Sequence, residues 1–186
     1  MTEDHTSHDK AALRPPLLAA RREIAAVRDR DADDLTLATH AVALARECGL
    51  TEGDTVAAYE ALRTEPPTAA TIAAFLTHGI RVVVPITLPD NDLDWCDVTD
   101  EQRMPLGPDT ISAAGLVLTP GLAVDLVGTR LGRGGGSYDR ALARREPTAR
   151  VVVVLHPGEL HSVRLPHDDR DQRVDGMLTV DGITWL

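Results

Sequence analysis

The 186-residue sequence contains few cysteines, few aromatic residues and no long apolar segment. Its two cysteines, Cys48 and Cys96, could form at most one disulfide and match no CxxC or Cys/His pattern, which argues against a disulfide-stapled secreted scaffold and a structural zinc site. Apolar runs such as Val151–Leu155 fall far below the roughly 20 residues that cross a bilayer. Residues 1–10 are polar, so we expect no signal peptide. These features predict a soluble, cytoplasmic protein.

Positive charge is also scarce. Lysine and arginine together number 19 against 29 aspartate and glutamate residues, for a net charge of −10. Nucleic acids and anionic membranes attract proteins with a net positive face, so we expect neither as a partner. Hydrophobic residues make up 43% of the chain, enough for a core, and the length fits one domain. We predict a single domain over residues 10–186, preceded by a disordered lead over residues 1–9.

The spacing of apolar residues predicts alternating helices and strands. Helical spacing marks Arg21–Val27 and Leu35–Ala45, and Pro15 and Pro16 are expected in the first turn of the first helix, where a missing N–H costs little. Further strands are predicted at residues 55–59, 80–85, 93–98, 116–119 and 151–155, and helices or helical turns at 67–78, 111–114 and 138–145. This alternation predicts an α/β fold with three α/β/α layers and a mostly parallel central sheet.

The most unusual segment, residues 116–140, is rich in glycine and arginine. Its clustered glycines, which lead into a predicted helix, are Gly132, Gly134, Gly135 and Gly136. Glycines at such a junction let backbone N–H groups approach an anion, and the helix N-terminus adds partial positive charge. Arg130 and Arg133 lie in the same loop, and guanidinium groups match phosphate oxygens. The segment favours a phosphorylated ligand, with a flexible turn as the alternative.

Two common phosphate motifs are excluded. A Walker A motif needs a Lys-Ser/Thr pair after the last glycine, and Ser137 also stands where a dinucleotide fingerprint needs its third glycine. Asp139 could either cap the following helix or hold a Mg²⁺ that bridges phosphates. Lys10 is the single lysine beside eighteen arginines. It is either an accident of a flexible tail or a compact charge for a phosphate.

The chain resembles the 5-formyltetrahydrofolate cyclo-ligase family, also called methenyltetrahydrofolate synthetases. The resemblance is clearest in Thr119-Pro-Gly-Leu-Ala-Val-Asp125 and Gly128-x-Arg-Leu-Gly-x-Gly-Gly-Gly-x-Tyr-Asp139. Three shorter stretches follow the family's order: Lys10-x-x-Leu-Arg14 with Arg21, Tyr59 with Glu65-x-x-Thr68, and Pro166 to Asp175 with its Asp171-x-x-Val-Asp175 ending. The resemblance covers nearly the whole chain after the lead.

This resemblance implies an ATP-dependent ligase. The family converts 5-formyltetrahydrofolate to 5,10-methenyltetrahydrofolate and releases ADP and phosphate. Phosphorylation turns the formyl oxygen into a leaving group, and N10 then attacks the carbon and closes the ring. In phosphoryl transfer the protein mainly positions the reactants and neutralises charge. The implied cofactors are ATP and Mg²⁺, the partners are small-molecule substrates, and we expect a monomer.

The resemblance also implies roles for individual residues. Lys10 and Arg133 are the expected catalytic residues. The expected ATP-binding residues are Lys10, Arg14, Arg130, Leu131, Gly132, Arg133, Gly134, Gly135, Gly136, Ser137 and Tyr138. The residues expected to bind the folate are Tyr59, Glu60, Glu65 and Tyr138. Asp139 and Asp175 are expected to hold Mg²⁺. The alternatives are a helix cap for Asp139, a turn for Asp175 and a merely exposed acid for Glu65.

Some features depart from the family pattern and keep other functions open. Ser137 replaces a second aromatic residue, so the chain could be a relative that binds folate or nucleotide without turnover. The alternating pattern and glycine loop also suit a sugar-phosphate isomerase or sensor. Pro15-Pro16 directly after Arg14 disfavours helical geometry there. We therefore expect that Lys10 and Arg14 do not share one helix face.

Overall fold

A computed structural model describes residues 2–186 of the protein, with side chains from residue 9 onward. The helices are α1 (Thr2–Val27), α2 (Arg30–Glu47), α3 (Ala69–Thr77) and α4 (Ser137–Leu142), with a 3-10 helix at Pro108–Ala113. The strands are β1 (Thr55–Ala57), β2 (Arg81–Thr87), β3 (Leu93–Asp97), β4 (Ala114–Pro120), β5 (Ala123–Asp125), β6 (Arg130–Leu131), β7 (Arg150–Val154), β8 (Leu160–His161), β9 (Gly176–Thr179) and β10 (Gly182–Trp185). The predicted α/β class is confirmed.

Seven strands form the central sheet, in the order β10-β9-β7-β4-β1-β2-β3. The five inner strands run parallel, and the two edge strands β10 and β3 pair antiparallel with their neighbours. A second sheet, β6-β5-β8, lies beyond the carboxyl end of β4. The sequence analysis predicted β1, β2, β3, β4 and β7 but missed the other five strands. Those strands have only two to four residues, too few to show a clear apolar pattern.

Helices cover both faces of the central sheet, as the three-layer prediction requires. On one face α2 and α3 pack Leu44 and Phe75 into a core with Leu118 of β4. On the other face the 3-10 helix and α4 contribute Ile111 and Leu142 to a second core. Strand β7 is buried on both faces, which explains its uninterrupted valine run. Among the residues that the structure describes, no helix is long and apolar enough to cross a membrane.

Helix α1 differs most from its prediction. It already includes residues 2–9, where the sequence pattern favours a disordered lead, because neither glycine nor proline interrupts the chain before Pro15. Met1 of that lead lies outside the described residues. Pro15 and Pro16 lie inside the helix and not in its first turn. An internal proline costs roughly 3 kcal/mol, through a lost hydrogen bond and a clash with the preceding turn.

Tertiary contacts offset the energetic cost of the two prolines inside α1. Leu13 and Leu17 pack against the apolar cluster of the small sheet. One turn later, the Arg21 guanidinium forms a bidentate ion pair with Glu159, with Nε–Oε1 and Nη2–Oε2 distances of 2.7 and 2.6 Å. Arg21 and Glu159 are 1% and 5% exposed. Burial of the apolar side chains and this ion pair therefore hold α1 against the domain.

The Glu159→Gln substitution should lower the free energy of unfolding by roughly 3–5 kcal/mol, because it leaves the buried Arg21 guanidinium without a counterion. Urea denaturation measures this loss. Glu60→Gln is the matched control, since Glu60 makes a similar bidentate pair with Arg103 at the surface. The control should cost at most about 1 kcal/mol. Equal losses in the two variants would contradict the structural role assigned to the buried pair.

Candidate active site

A cavity of 780 Å³ opens at the carboxyl ends of the parallel strands β1 and β4. The chain leaves β1 through α3 to β2 on one side, whereas it leaves β4 through α4 to β7 on the other side. Adjacent strands whose connections depart in opposite directions leave a crevice, which is the usual ligand site of open α/β sheets. The volume lies within the range of small-molecule sites.

The structure brings together the sequence-predicted site residues, with Asp175 as the exception. Those that line the cavity are Lys10, Arg14, Tyr59, Glu60, Glu65, Arg130, Leu131, Gly132, Arg133, Gly134, Gly135, Gly136, Ser137, Tyr138 and Asp139. They come from three separate parts of the chain: helix α1, the segment after β1, and the glycine loop between β6 and α4. Their individual roles remain predictions, but their convergence on one cavity agrees with a shared site.

The glycine loop needs its glycines for two physical reasons. Gly134 and Gly136 have φ angles of +109° and +66°, a left-handed region that other residues rarely adopt. A Cβ on Gly134 would also lie 3.1 Å from the Arg14 guanidinium carbon. The Arg14 Nε donates to the Gly132 carbonyl at 3.0 Å, so α1 holds the start of the loop. The start of the loop is therefore anchored to α1.

Arg130 lies beneath the loop and is 7% exposed. Its guanidinium donates to Asp139 Oδ1 at 3.0 Å and to the Pro120 carbonyl at 3.2 Å, and it lies 5.7 Å from the Tyr138 ring centroid. The same Asp139 oxygen accepts from the backbone N of Gln172 at 3.2 Å. Asp139 is in the first turn of α4, but no side-chain cap bond is found at that helix start in the described part of the chain. The Asp139 carboxylate therefore pairs with Arg130 and does not cap the helix, so the capping alternative is wrong.

Lys10 is 8% exposed and points into the cavity region rather than into solvent. Its Nζ donates to Asp168 Oδ2 at 2.9 Å and to Asp171 Oδ1 at 2.7 Å. Burial acts to raise the pKa of Asp168, but the hydrogen bonds from Lys10 and the Arg170 backbone outweigh it and lower that pKa. The flexible-tail interpretation of Lys10 is therefore wrong.

The expected separation of Lys10 and Arg14 is also wrong. Helix α1 continues through Pro15, so the two residues, four positions apart, lie on one face and both line the cavity. Arg21, which the resemblance grouped with them, lies outside this lining and is paired with Glu159. Of the three, only Lys10 and Arg14 are thus placed to reach a ligand in the cavity.

The aromatic side chains that line the cavity are Tyr59 and Tyr138. Neither hydroxyl has a hydrogen-bond partner among the described residues, although both are buried. Burial, with nearby Glu65, raises the pKa of Tyr59 well above its usual value, and burial also raises the pKa of Tyr138. Both hydroxyls therefore stay protonated at neutral pH and can donate a hydrogen bond. The Arg130 Nε is a third buried donor without a partner in the same region.

Glu65 is 5% exposed, so the exposed-acid alternative is wrong. Its Oε2 accepts from the Leu62 backbone N at 2.9 Å, and its Oε1 lies 3.4 Å from the Arg133 Nε. Glu60, by contrast, has a mainly exposed side chain that pairs with Arg103 at the cavity mouth. The buried Glu65 carboxylate thus touches the glycine loop through Arg133.

Asp175 lies away from the cavity. Its Oδ2 accepts from the Val151 backbone N at 2.7 Å and its Oδ1 from Arg150 at 3.4 Å, at the amino end of β7. The cavity lies at the carboxyl ends of the strands, so the predicted pairing of Asp175 with Asp139 at one metal is wrong. Within the described part of the chain, no cluster of three or more His, Cys, Asp or Glu side chains is arranged to hold a metal.

Asp168 and Asp171 are the acidic cavity residues that the sequence analysis did not assign to the site. Both belong to the stretch from Pro166 to Asp175 that carries the family resemblance. The Asp-x-x-Val-Asp pattern contains two acids, and nothing in their spacing shows which one faces the cavity. The pairing of Asp171 with Lys10, which only the tertiary structure shows, distinguishes the two acids.

Some residues of the segment that resembles the family stabilise the fold and do not line the cavity. Asp125 is 1% exposed, and its carboxylate accepts from the backbone N of Thr129 and Leu165 at 2.8 and 2.9 Å. The carbonyl of Gly128, in the same turn, accepts a hydrogen bond from the Val174 backbone N at 2.9 Å. These contacts anchor both ends of the segment that presents Asp168 and Asp171 to the cavity.

Comparison with known proteins agrees with this geometry. The model of the 5-formyltetrahydrofolate cyclo-ligase family matches residues 6–180. The chain belongs to the 5-formyltetrahydrofolate cyclo-ligase family. It is 32% identical to the 5-formyltetrahydrofolate cyclo-ligase of Mycolicibacterium smegmatis, over 91% of this chain and 93% of that protein. The family predicted from the sequence is confirmed, and the relative that it matches is named as a ligase.

Two solved structures share the fold. A 5,10-methenyltetrahydrofolate synthetase from Mycoplasma pneumoniae aligns with a TM-score of 0.74 at 22% identity, covering 92% of this chain and 99% of its own. The 5,10-methenyltetrahydrofolate synthetase of Aquifex aeolicus aligns with a TM-score of 0.67 at 21% identity, covering 95% of this chain and 92% of its own. The single α/β domain is therefore the fold of known synthetases of this family.

Substituting Gly128 should destabilise the cyclo-ligase fold by disturbing the anchor of the acidic segment. Gly128 has φ +80°, and a Cβ there would lie 2.3 Å from the Val174 carbonyl oxygen. Gly128→Ala should cost about 1–2 kcal/mol of unfolding free energy for the backbone conformation and about 1–3 more for the clash. Gly53→Ala, at φ +89° with nothing within 4 Å, is the matched control for the backbone cost alone. Equal urea-denaturation midpoints for the Gly128→Ala and Gly53→Ala variants would contradict the anchoring role.

Proposed function

We propose that this chain converts 5-formyltetrahydrofolate to 5,10-methenyltetrahydrofolate at the cavity beside β1 and β4, with ATP as the phosphoryl donor. Family membership over residues 6–180 supports the activity. One contact supports the assignment to this cavity: the Glu65 carboxylate and the Arg133 guanidinium are 3.4 Å apart. The residue predicted to bind folate and the residue predicted to bind phosphate are therefore direct neighbours.

The reaction requires the folate and the phosphoryl donor to be bound next to each other. The formyl oxygen attacks the γ-phosphorus, an O–P bond forms, and the bond to the β-phosphate breaks to release ADP. N10 then attacks the formyl carbon and loses its proton, and phosphate departs with the former formyl oxygen. The first step joins two bound molecules and the second closes a ring within the folate, so the protein accelerates both mainly by alignment and charge stabilisation.

The charge of the cavity lining supports binding of a polyphosphate. Six lining side chains are cationic, namely Lys10, Arg14, Arg130, Arg133, Arg140 and Arg170, and five are acidic, namely Glu60, Glu65, Asp139, Asp168 and Asp171. The lining is thus slightly positive, at six minus five, although the whole chain carries −10. Arginine forks and a compact ammonium suit phosphate oxygens.

Asp139 and Asp171 are the carboxylates that fit a magnesium ion. Both line the cavity, and the Gln172 backbone N that donates to Asp139 belongs to the residue after Asp171. One or two carboxylates together with substrate phosphates are the usual ligands of Mg²⁺ in proteins. When bound, the ion would neutralise phosphate charge. We therefore propose Asp171 in place of Asp175 as the partner of Asp139.

The folate side is proposed to use Glu65, Tyr59 and Tyr138. The Glu65 carboxylate can accept paired hydrogen bonds from the donor edge of a pterin. The protonated hydroxyls of the two tyrosines are buried donors without partners among the described residues, which a bound ligand can satisfy. The Leu62 N–H bond holds Glu65 in place before the ligand arrives.

The sugar-phosphate alternative loses its support, because the matched family spans nearly the whole chain. The binding-only alternative rests on Ser137, and the turnover assay below decides it. We further propose that the enzyme works as a cytoplasmic monomer on small molecules. The net charge of −10 supports the absence of a nucleic-acid partner.

Purified protein with MgATP and 5-formyltetrahydrofolate should form the methenyl chromophore and one ADP for each product, and it should form neither without ATP. Lys10→Ala should lower kcat/KM about 10- to 150-fold, because it removes a charge-assisted hydrogen bond of about 1.5–3 kcal/mol. Arg22→Ala, an exposed change on the same helix, is the control. Folded protein that binds ligand without turnover would reject the proposed reaction.

Magnesium dependence distinguishes the two candidate acids. Asp171→Asn should raise the Mg²⁺ concentration for half-maximal activity by about tenfold or more, because it removes one anionic ligand. Asp175→Asn, at the far end of β7, should leave that concentration unchanged. The initial rate over a Mg²⁺ titration measures both. A shift in Asp175→Asn alone would restore the original metal assignment and overturn the present one.

A further inference from the structure

The turn at residues 62–65, which ends in Glu65, is supported on its backbone by two side chains. All four carbonyls of the turn accept hydrogen bonds. Arg30 donates to three of them over 2.7–3.4 Å. The fourth, that of Thr64, lies 3.1 Å from the His156 Nε2. These four bonds hold the backbone of the turn in place at the edge of the cavity.

His156 comes from a different part of the fold, directly after β7. It is 4% exposed, and burial lowers its pKa, so the ring is neutral at physiological pH. A carbonyl can only accept a hydrogen bond, so the proton of the neutral ring must be on Nε2. The imidazole therefore acts here as a donor to the turn.

The backbone of His156 is itself fixed. Its N–H donates to Glu159 Oε2 at 2.8 Å, and Glu159 is the buried partner of Arg21. Arg21 lies on α1, the helix that also carries Lys10 and Arg14 toward the glycine loop. A set of buried and partly buried hydrogen bonds thus connects α1 through Glu159 and His156 to the residue before Glu65.

We propose that His156 is a positioning residue for the reaction: it fixes the Glu65 carboxylate relative to helix α1, and so aligns the folate with the phosphate-binding side chains. This inference rests on the proposed role of Glu65 in folate binding. His156 does not line the cavity, so it acts through the Thr64 carbonyl and not on the substrate. Loss of its N–H leaves a polar carbonyl partly buried without a donor, which favours a rearranged turn.

Steady-state kinetics of His156 variants test the inference. His156→Ala should raise the KM for 5-formyltetrahydrofolate about tenfold and leave the KM for ATP within about twofold. His156→Gln should restore most of the loss, because its amide donor lies near the Nε2 position, whereas the shorter His156→Asn should not. Comparison of these two variants also keeps the test valid if His156→Ala does not fold.

His40 provides the matched control. Its Nε2 makes the same kind of contact, to the Val180 carbonyl at 3.2 Å, but on α2 and away from the cavity. His40→Ala should change neither KM, even if it lowers the melting temperature as much as His156→Ala. An equal rise in both KM values for His156→Ala, or the same folate effect in His40→Ala, would overturn the positioning role.

A double-mutant cycle separates this inference from the proposed function. If His156 acts through Glu65, then in a Glu65→Gln background the His156→Ala change should add less than about twofold to the folate KM. If Glu65→Gln alone leaves the folate KM unchanged, the proposed function of Glu65 fails. If Glu65→Gln raises that KM but His156→Ala does not, or if the two effects multiply independently, only the present inference fails.

Discussion

A cavity that gathers several cations depends on partners within the protein for the charges that it buries. Three of the six cations of the lining have carboxylate partners: Arg130 pairs with Asp139, Arg133 with Glu65, and Lys10 with two aspartates. Arg14 instead donates to the Gly132 carbonyl. Leaving the buried Lys10 or Arg130 charge unpaired would cost several kcal/mol. The same pairs hold the side chains of the site in place, so a polyanionic ligand meets an organised set of cations rather than a mobile one. The remaining features of the site depend on this charge pairing.

The fold brings these pairs together from distant parts of the chain. The crevice between β1 and β4 is a consequence of strand order, and helix α1 closes it by packing against the small second sheet. Asp125 and Gly128 fix the acidic segment that meets Lys10. Some residues of the family signature therefore build the site's walls, while others, such as Gly134 and Gly136, shape the loop itself.

Much of this arrangement could be predicted from the sequence, because local patterns of apolar residues and glycines determine it. The buried valine run of β7 and the glycines before α4 are visible without any tertiary information. The two- and three-residue strands β5, β6 and β8 are not, since long-range pairing alone defines them. The central elements and the glycine loop were thus predictable, and the small sheet was not.

The errors of prediction have the same origin. The local rule that proline starts or breaks a helix fails at Pro15 and Pro16, because the packing of α1 outweighs the local cost. Asp175 was predicted to face the site, but the fold places it at the amino end of β7 and places Asp171, four residues earlier, in the cavity lining. Only the tertiary structure distinguishes a site residue from a strand-end residue in such a pair.

The most direct test of the account is a crystal structure with Mg²⁺ and a non-hydrolysable ATP analogue. The triphosphate should lie against Gly132–Gly136, with Lys10 and Arg14 on its phosphates. Asp139 should contact the bound Mg²⁺. A nucleotide bound elsewhere on the protein, with the glycine loop and Lys10 unchanged, would contradict it.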